Sequence, residues 1–168
     1  MADLRALVTS LGHDEVKTYI QSGNIVFTPA GARASAAAIA DELHGAITEK
    51  FGLRTSVVVL SRAELAEVIS RNPYSGEPEP RYVHGVFLSA EPDQDAIGWI
   101  SEQVALQQDQ GSRDEATLIG RTLYVHTPDG FGNSELAKIL LTKRASPTAL
   151  GTARNWNTIT KLLALCDA

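Results

Sequence analysis

The stretch that organises the chain runs from Pro128 to Arg144 and reads Pro-Asp-Gly-Phe-Gly-Asn-Ser-Glu-Leu-Ala-Lys-Ile-Leu-Leu-Thr-Lys-Arg. This pattern predicts a tight, glycine-bearing turn that leads directly into a helix with a leucine-rich and isoleucine-rich buried face. Residues 116–126 precede it and predict a β-hairpin. The N-terminus of a helix carries unpaired N–H groups and partial positive charge, so such a turn can hold an anion.

The turn has a structural and a functional interpretation. In the first, Ser134 is an ordinary N-cap and Gly132 supplies a positive φ. In the second, a phosphate or carboxylate binds the amides of residues 132–135, and Arg154 adds a forked donor. The turn has too few glycines for a Walker-type phosphate loop, and no Lys-Ser/Thr pair follows it.

A second polar cluster, residues 152–158, is predicted to open the last helix. Its Arg154-Asn155-Trp156 string suits a nucleic-acid base, because Trp can stack, Asn can bond a base edge and Arg can bind phosphate. The same residues suit a buried indole whose neighbours tie the helix start to a nearby loop. The candidate anion-binding residues are therefore Gly130, Gly132, Asn133, Ser134, Arg154, Asn155 and Trp156.

Between two apolar, β-rich runs lies a polar turn, formed by Gln21, Ser22, Gly23 and Asn24. Glycine and asparagine tolerate left-handed backbone, so the geometry of a turn explains them. A hairpin tip that faces a ligand is the alternative interpretation. A single bulged strand across this region is also compatible with the sequence.

The composition of the 168-residue chain is that of an ordinary globular protein, with 43% hydrophobic and 21% charged residues. The apolar runs are too short to cross a membrane, and the lone Cys166 suits a reducing cytoplasm. The net charge is −5, yet the residues from Lys138 onward carry +4, which points weakly to a phosphate or polyanion partner. The four histidines lack the spacing of metal ligands, and no metal, cofactor or catalytic residue is assigned. The pairs Asp14-Glu15 and Asp114-Glu115 are interpreted as solvated charges in loops or at strand ends.

The order of predicted elements is αββαβα followed by βαββαα. It predicts an α+β protein of two ferredoxin-like βαββα halves, the first lacking its initial strand. Residues 55–60 are predicted to be a buried strand of the first half. We expect the first half with a connecting helix over 1–73, a linker over 74–81, and the second half with a C-terminal helix over 82–168.

An initial strand would occupy a central position in a ferredoxin-like sheet. The sequence-based expectation is therefore that the natural protein starts some twenty residues upstream (roughly one strand and its loop). The alternative is that another strand fills this position.

Several strings resemble the bacterial family called domain of unknown function 1697. They are Met1 to Leu7, Thr18 to Phe27, Asn72-Pro73, Asp129-Gly130 with Ser134, and Ala153 to Thr158. In that family a strand with an Arg-Gly-Ile-Asn-Val-Gly-Gly string normally precedes the first helix, and it is missing here. Members often carry a basic residue after the serine that opens the organising helix, whereas this chain has Glu135, which would compete with an incoming anion.

The resemblance implies no activity, so three classes of function stay open. The first is a binding module for a phosphate-bearing ligand, either a nucleotide or a nucleic acid. The second is an enzyme that acts on a small phosphorylated or acidic substrate. The third is a structural or partner-binding protein that uses an open sheet edge. The oligomeric state is left open, and no membrane partner is expected.

Overall fold

The computed structural model describes residues 1–31, 35–142 and 151–168. The elements are α1 (Ala2–Ser10), β1 (Asp14–Tyr19), β2 (Asn24–Thr28), α2 (Ala36–Phe51), α3 (Arg62–Ser70), β3 (Val83–Leu88), α4 (Gln94–Asp109), β4 (Glu115–Ile119), β5 (Thr122–His126), α5 (Glu135–Leu141), β6 (Gly151–Asn155) and α6 (Trp156–Cys166). Contacts divide them into unit 1 (Met1–Ala66 with Thr160–Ala168) and unit 2 (Glu67–Ile159). The fold class is α+β, as predicted. The boundaries of 1–73, 74–81 and 82–168 stay a prediction.

Unit 2 contains a four-stranded sheet of order β4-β5-β3-β6, in which every neighbouring pair is antiparallel. The elements β3 to β6 follow the β-α-β-β-α-β order of a ferredoxin-like unit. Alternate strand residues form one core with α4 and α5. The fully buried members are Val86, Leu88, Ile100, Leu123, Val125, Leu136 and Leu140.

The strand β6 differs from the sequence-based prediction, in which residues 152–158 open the last helix. Instead, Gly151–Asn155 pairs with β3, and α6 begins only at Trp156. The Asn155 side-chain oxygen accepts a hydrogen bond from the Thr158 amide at 2.9 Å, so Asn155 caps α6. Polar residues form a strand here because β3 offers a free edge for pairing.

The other face of the unit 2 sheet packs against α3 and the first turn of α6. The Tyr124 hydroxyl donates to the Val68 carbonyl at 2.9 Å, and the rings of Tyr124 and Trp156 lie 6.0 Å apart. Gly85 lies on the same face, where a Cβ atom would meet Ile159 Cδ1 at 2.9 Å. Gly85 therefore permits the close approach of α6.

Unit 1 contains the hairpin of β1 and β2, with a register shift between Asp14 and Lys17. The hairpin prediction is confirmed. The unit 1 core consists of Val8, Val16, Ile39 and Leu43, with Leu11, Ile25, Phe27, Val57 and Val59 packed against it. Lys17 Nζ donates to the carbonyls of Leu165 (3.3 Å) and Ala168 (2.8 Å), so it satisfies acceptors at the end of α6.

The prediction of a buried strand over residues 55–60 is wrong. No strand forms there, and Val57 to Leu60 are only half-buried. A strand needs a neighbour for its backbone groups, and none of the described strands pairs with this segment. The helix that follows this segment begins with a capping box. Ser61 and Glu64 form both of its hydrogen bonds, at 2.7 and 3.2 Å.

The contact between Gly85 and Ile159 gives a testable prediction. Gly85→Ala should destabilise the protein by about 1 to 3 kcal/mol, because the new methyl overpacks a rigid core. Ile159→Val alone should cost about 0.5 to 1.5 kcal/mol. Because Ile159→Val removes the Cδ1 atom that the new methyl would meet, the double variant should lose less stability than the sum of the two single losses. Urea denaturation measures all three; strictly additive losses would contradict the contact.

Candidate functional site

The turn from Pro128 to Ser134 is stabilised by local backbone hydrogen bonds. It contains a short 3₁₀ helix, Phe131–Asn133. The amide of Gly130 donates to Thr127, that of Asn133 to Gly130, and that of Ser134 to Phe131. The left-handed residue is Gly130, with φ of +98°, whereas Gly132 has no positive φ. The prediction that Gly132 supplies this conformation is wrong by two residues.

Ser134 is the N-cap of α5, as predicted, and it is buried. Its Oγ atom accepts from the Ala137 amide at 2.8 Å and donates to Asp114 Oδ2 at 2.7 Å. Asp114 is only 6% exposed, so the interpretation of Asp114 as a solvated charge is wrong. A carboxylate of the protein thus lies at the helix start, in the region where an incoming anion would bind. Nothing in the local sequence around Asp114 signals this partnership.

The three residues of the Arg154-Asn155-Trp156 string make separate contacts. Arg154 Nη1 donates to Thr152 Oγ1 and to the Ala153 carbonyl, both at 2.7 Å, and burial lowers the pKa of the guanidinium. Asn155 caps α6. Trp156 is half-buried and lies against Tyr124. The observed contacts are those of packing and capping.

The sheet separates Arg154 from the turn at Ser134. Ala153 packs into the core with Leu136 of α5, so alternation places Arg154 on the opposite face. The register agrees, because Arg154 is opposite Gly85, which lies against α6. Arg154 and the amides at the start of α5 therefore do not converge on one site.

The Gln21–Asn24 turn belongs to unit 1. Its first three residues are exposed, whereas Asn24 is buried and donates from Nδ2 to the Tyr19 carbonyl and Ser22 Oγ. Gly23 has φ of +78°, as the turn requires. The preceding Ile20 has φ of +49° and is half-exposed, an uncommon conformation for a β-branched residue. These bonds explain Asn24 by turn geometry alone.

The segment Val57–Leu60 in unit 1 has unpaired backbone groups. No hydrogen bond joins its N–H or C=O groups to any of the described residues. Yet Val57 and Val59 both pack against the unit 1 core, at the spacing of residues on one side of a strand. The strand β2 pairs with β1 along one edge, and its other edge has no partner among the described strands. The sequence predicts both the apolar run and the absence of an initial strand from this half, and none of the described strands pairs with the run.

Two histidines of unit 2 have distinct surroundings. His84 on β3 stacks on Phe131, with ring centroids 3.8 Å apart, and burial lowers its pKa to about 4. His126 at the end of β5 contacts the carboxylates of Glu77 and Glu115. Within the described ranges, no group of three or more His, Cys, Asp or Glu residues could hold a metal ion.

The fold defines the class: an α+β protein whose described residues form one four-stranded, ferredoxin-like sheet and one two-stranded sheet. The chain belongs to the family described as "Protein of unknown function (DUF1697)", whose model matches residues 1–124. The Gly130–Ser134 turn and Arg154 lie beyond the matched residues.

A solved structure agrees with this fold. The chain is similar to a conserved bacterial protein from Streptococcus pneumoniae, with 21% identity and a TM-score of 0.70, covering 100% of this chain and 89% of that one. No curated protein matches the chain. No helix among the described residues is long and apolar enough to cross a membrane. A cytoplasmic location stays a prediction.

The bond between Ser134 and Asp114 predicts unequal costs for two N-cap substitutions. Ser35→Ala, at the exposed cap of α2, should cost about 1 kcal/mol. Ser134→Ala should cost at least about 1 kcal/mol more, because it also leaves the buried Asp114 without its hydroxyl donor. Equal losses in urea denaturation would show that the Asp114 contact adds nothing.

His84 predicts a loss of stability in acid. Its pKa is lowered on folding, so the unfolded state binds the proton more readily between about pH 6.5 and pH 4. The contribution of the neutral ring to the free energy of unfolding should be present above pH 6.5 and fall by about 1 to 2 kcal/mol toward pH 4. This free energy is reduced to allow for the partial exposure of the ring to water. His84→Phe should remove this part of the pH dependence, whereas His44→Gln, at an exposed ring, should keep it. An identical fall in the His84→Phe variant, measured by denaturation across this range, would contradict the assignment.

Proposed function

We propose that the protein is a polypeptide-binding module and that unit 1 accepts an added β-strand between β2 and Val57–Leu60. The observation that carries this proposal is that the backbone of Val57–Leu60 has no hydrogen-bond partner in the described part of the chain, although its alternate side chains already pack on the core. Strand addition supplies affinity through main-chain hydrogen bonds and specificity through alternate side chains.

Unit 2 supports the proposed position of the strand. There, α5 lies between β5 and β6 in the chain, and β3 pairs with both strands. In unit 1, α2 occupies the same place between β2 and Val57–Leu60. The position that corresponds to β3 has no occupant among the described residues. By the same correspondence, an added strand would run antiparallel to both neighbours.

The alternatives receive less support from the geometry. A phosphate ligand would have to compete with Asp114 at the start of α5, and Arg154 lies on the other face of the sheet. An enzyme needs a cleft with an acid–base pair. A shallow depression in unit 1 brings together small and hydroxyl side chains with one arginine, namely Ala2, Arg5, Ala6, Thr9, Ser10 and Thr18. It contains no such pair.

A peptide experiment tests the proposal. The probe is an eight-residue peptide with valine at alternate positions and threonine or lysine between them, titrated into the protein and followed by amide chemical shifts. We expect shifts at β2 and at Val57–Leu60. A strand between two neighbours uses N–H groups on both of its edges, so N-methylation at either of two adjacent central positions should weaken binding about tenfold.

Methylation at each position in turn separates insertion between two strands from docking on a single edge. Docking on one edge would tolerate N-methylation at one of the two positions. In a second arm, the same strand is joined ahead of Met1 by a flexible linker. Binding of the free peptide supports a partner-binding function. Absence of shifts with the free peptide, whether or not the linked strand pairs, would overturn it.

A further inference from the structure

Besides β2, three strands of the described sheets have a free edge, namely β4 and β6 in unit 2 and β1 in unit 1. A free edge exposes backbone groups to which another strand can bind, so proteins commonly protect it with a bulge or a covering group. In β1 the register shifts between Asp14 and Lys17, and Glu15 within the shift has φ of +51°. This irregularity interrupts pairing along the outer edge of β1.

The free edge of β6 is covered by a side chain. The Leu88 amide donates to the Arg121 carbonyl, so every second residue of β3 from Leu88 faces β5, and the residues between them face β6. Gly85 is one of the latter and pairs with Arg154, so the Ala153 carbonyl faces outward. Arg154 Nη1 donates to that carbonyl at 2.7 Å. An incoming strand would have to displace this bond.

The free edge of β4 has neither device, and its pairing with β5 is regular along its whole length. Because Arg121 faces β3, the next residue, Thr122, faces β4 and pairs with Ile119. Alternation then leaves the N–H and C=O groups of Ala116 and Leu118 on the outer edge. No described residue forms a hydrogen bond with these four groups. The edge of β4 is therefore a regular strand that lacks a neighbour.

We propose that β4 pairs with β4 of a second copy of this chain, antiparallel and about a two-fold axis at Thr117, so that two unit 2 sheets join into one. A two-fold axis requires a surface that binds itself, and an antiparallel strand pair meets that condition. With the axis at Thr117, Ala116 lies opposite Leu118 of the second copy. Both residues have outward backbone groups, so this register uses all four groups of each copy.

The charges at the ends of β4 favour a second copy as the partner. In this register Glu115 lies diagonal to Arg121 of the second copy, within reach of its long side chain. Glu115 is 52% exposed and has only a long contact, 3.4 Å, to His126 Nδ1. Arg121 forms no ion pair with any described residue. The other arginine at this end, Arg113, is already paired with Asp129.

Charge exchange tests this pairing in the full chain. Glu115→Arg and Arg121→Glu should each weaken dimerisation at least about tenfold, because each replaces two opposite-charge pairs with two like-charge pairs. The double variant should recover the wild-type dimerisation constant. An equimolar mixture of the two single variants should form a heterodimer, because both pairs are then opposite in charge again. Sedimentation equilibrium measures each constant.

The control is Glu49→Arg, which makes the same change of charge at an exposed residue of unit 1 and should dimerise like the wild type. Two results would overturn the proposal. The first is a wild-type chain that stays monomeric at the millimolar concentrations of an NMR sample. The second is a pair of single variants that dimerise as tightly as the wild type.

Amide hydrogen exchange locates the interface. Protection of the Ala116 and Leu118 amides should rise at least about tenfold from dilute to concentrated protein, because these amides gain acceptors in the dimer. The Thr117 amide, which already faces β5, should change little. Protection that rises with concentration at Val57–Leu60, and not at Ala116 and Leu118, would mean that the second copy binds unit 1 and would overturn the proposal.

Discussion

Backbone pairing of strands is the constraint on which the rest of the structure depends. In unit 2, β3 exchanges hydrogen bonds with β5 on one edge and β6 on the other, and the sheet is complete. Among the described residues of unit 1, β2 pairs with β1 alone, and Val57 and Val59 pack on the core while the backbone of Val57–Leu60 has no hydrogen-bond partner. An unpaired polar group in a partly buried position costs free energy. The two units therefore differ in how many strand edges are satisfied, and the proposed function follows from that difference.

The turn before α5 illustrates a second constraint, which is that a helix start can be satisfied from within the protein. Ser134 gives its hydroxyl oxygen to the Ala137 amide and its proton to Asp114. The turn amides at Asn133 and Ser134 have backbone acceptors. A sequence with the composition of an anion-binding turn thus forms a capped helix start whose serine is buried, while Gly132 and Asn133 are exposed. Composition identifies the element, and only tertiary contacts decide whether it stays available to a ligand.

Features set by neighbours in the chain could be predicted from sequence, and those set by distant partners could not. The caps at Ser35, Ser61 and Ser134 follow from residues within one helical turn. Two strand predictions were wrong because β propensity takes no account of whether a neighbouring strand edge is available. Val57–Leu60 has high β propensity, yet none of the described strands pairs with it. The polar residues of β6 form a strand because β3 offers them a free edge. Asp114 was misread for the same reason, since its partner lies twenty residues away.

Native-state hydrogen exchange of single amides tests the central claim most directly. The amides of Val57–Leu60 are compared with those of Val86 and Phe87 on β3, which lies between two paired strands. We predict that the Val57–Leu60 amides exchange at nearly the rate of an unstructured peptide, while the β3 amides are protected up to the free energy of global unfolding. Protection of Val57–Leu60 equal to that of β3 would mean that their backbone is already paired, and it would contradict an open strand position in unit 1.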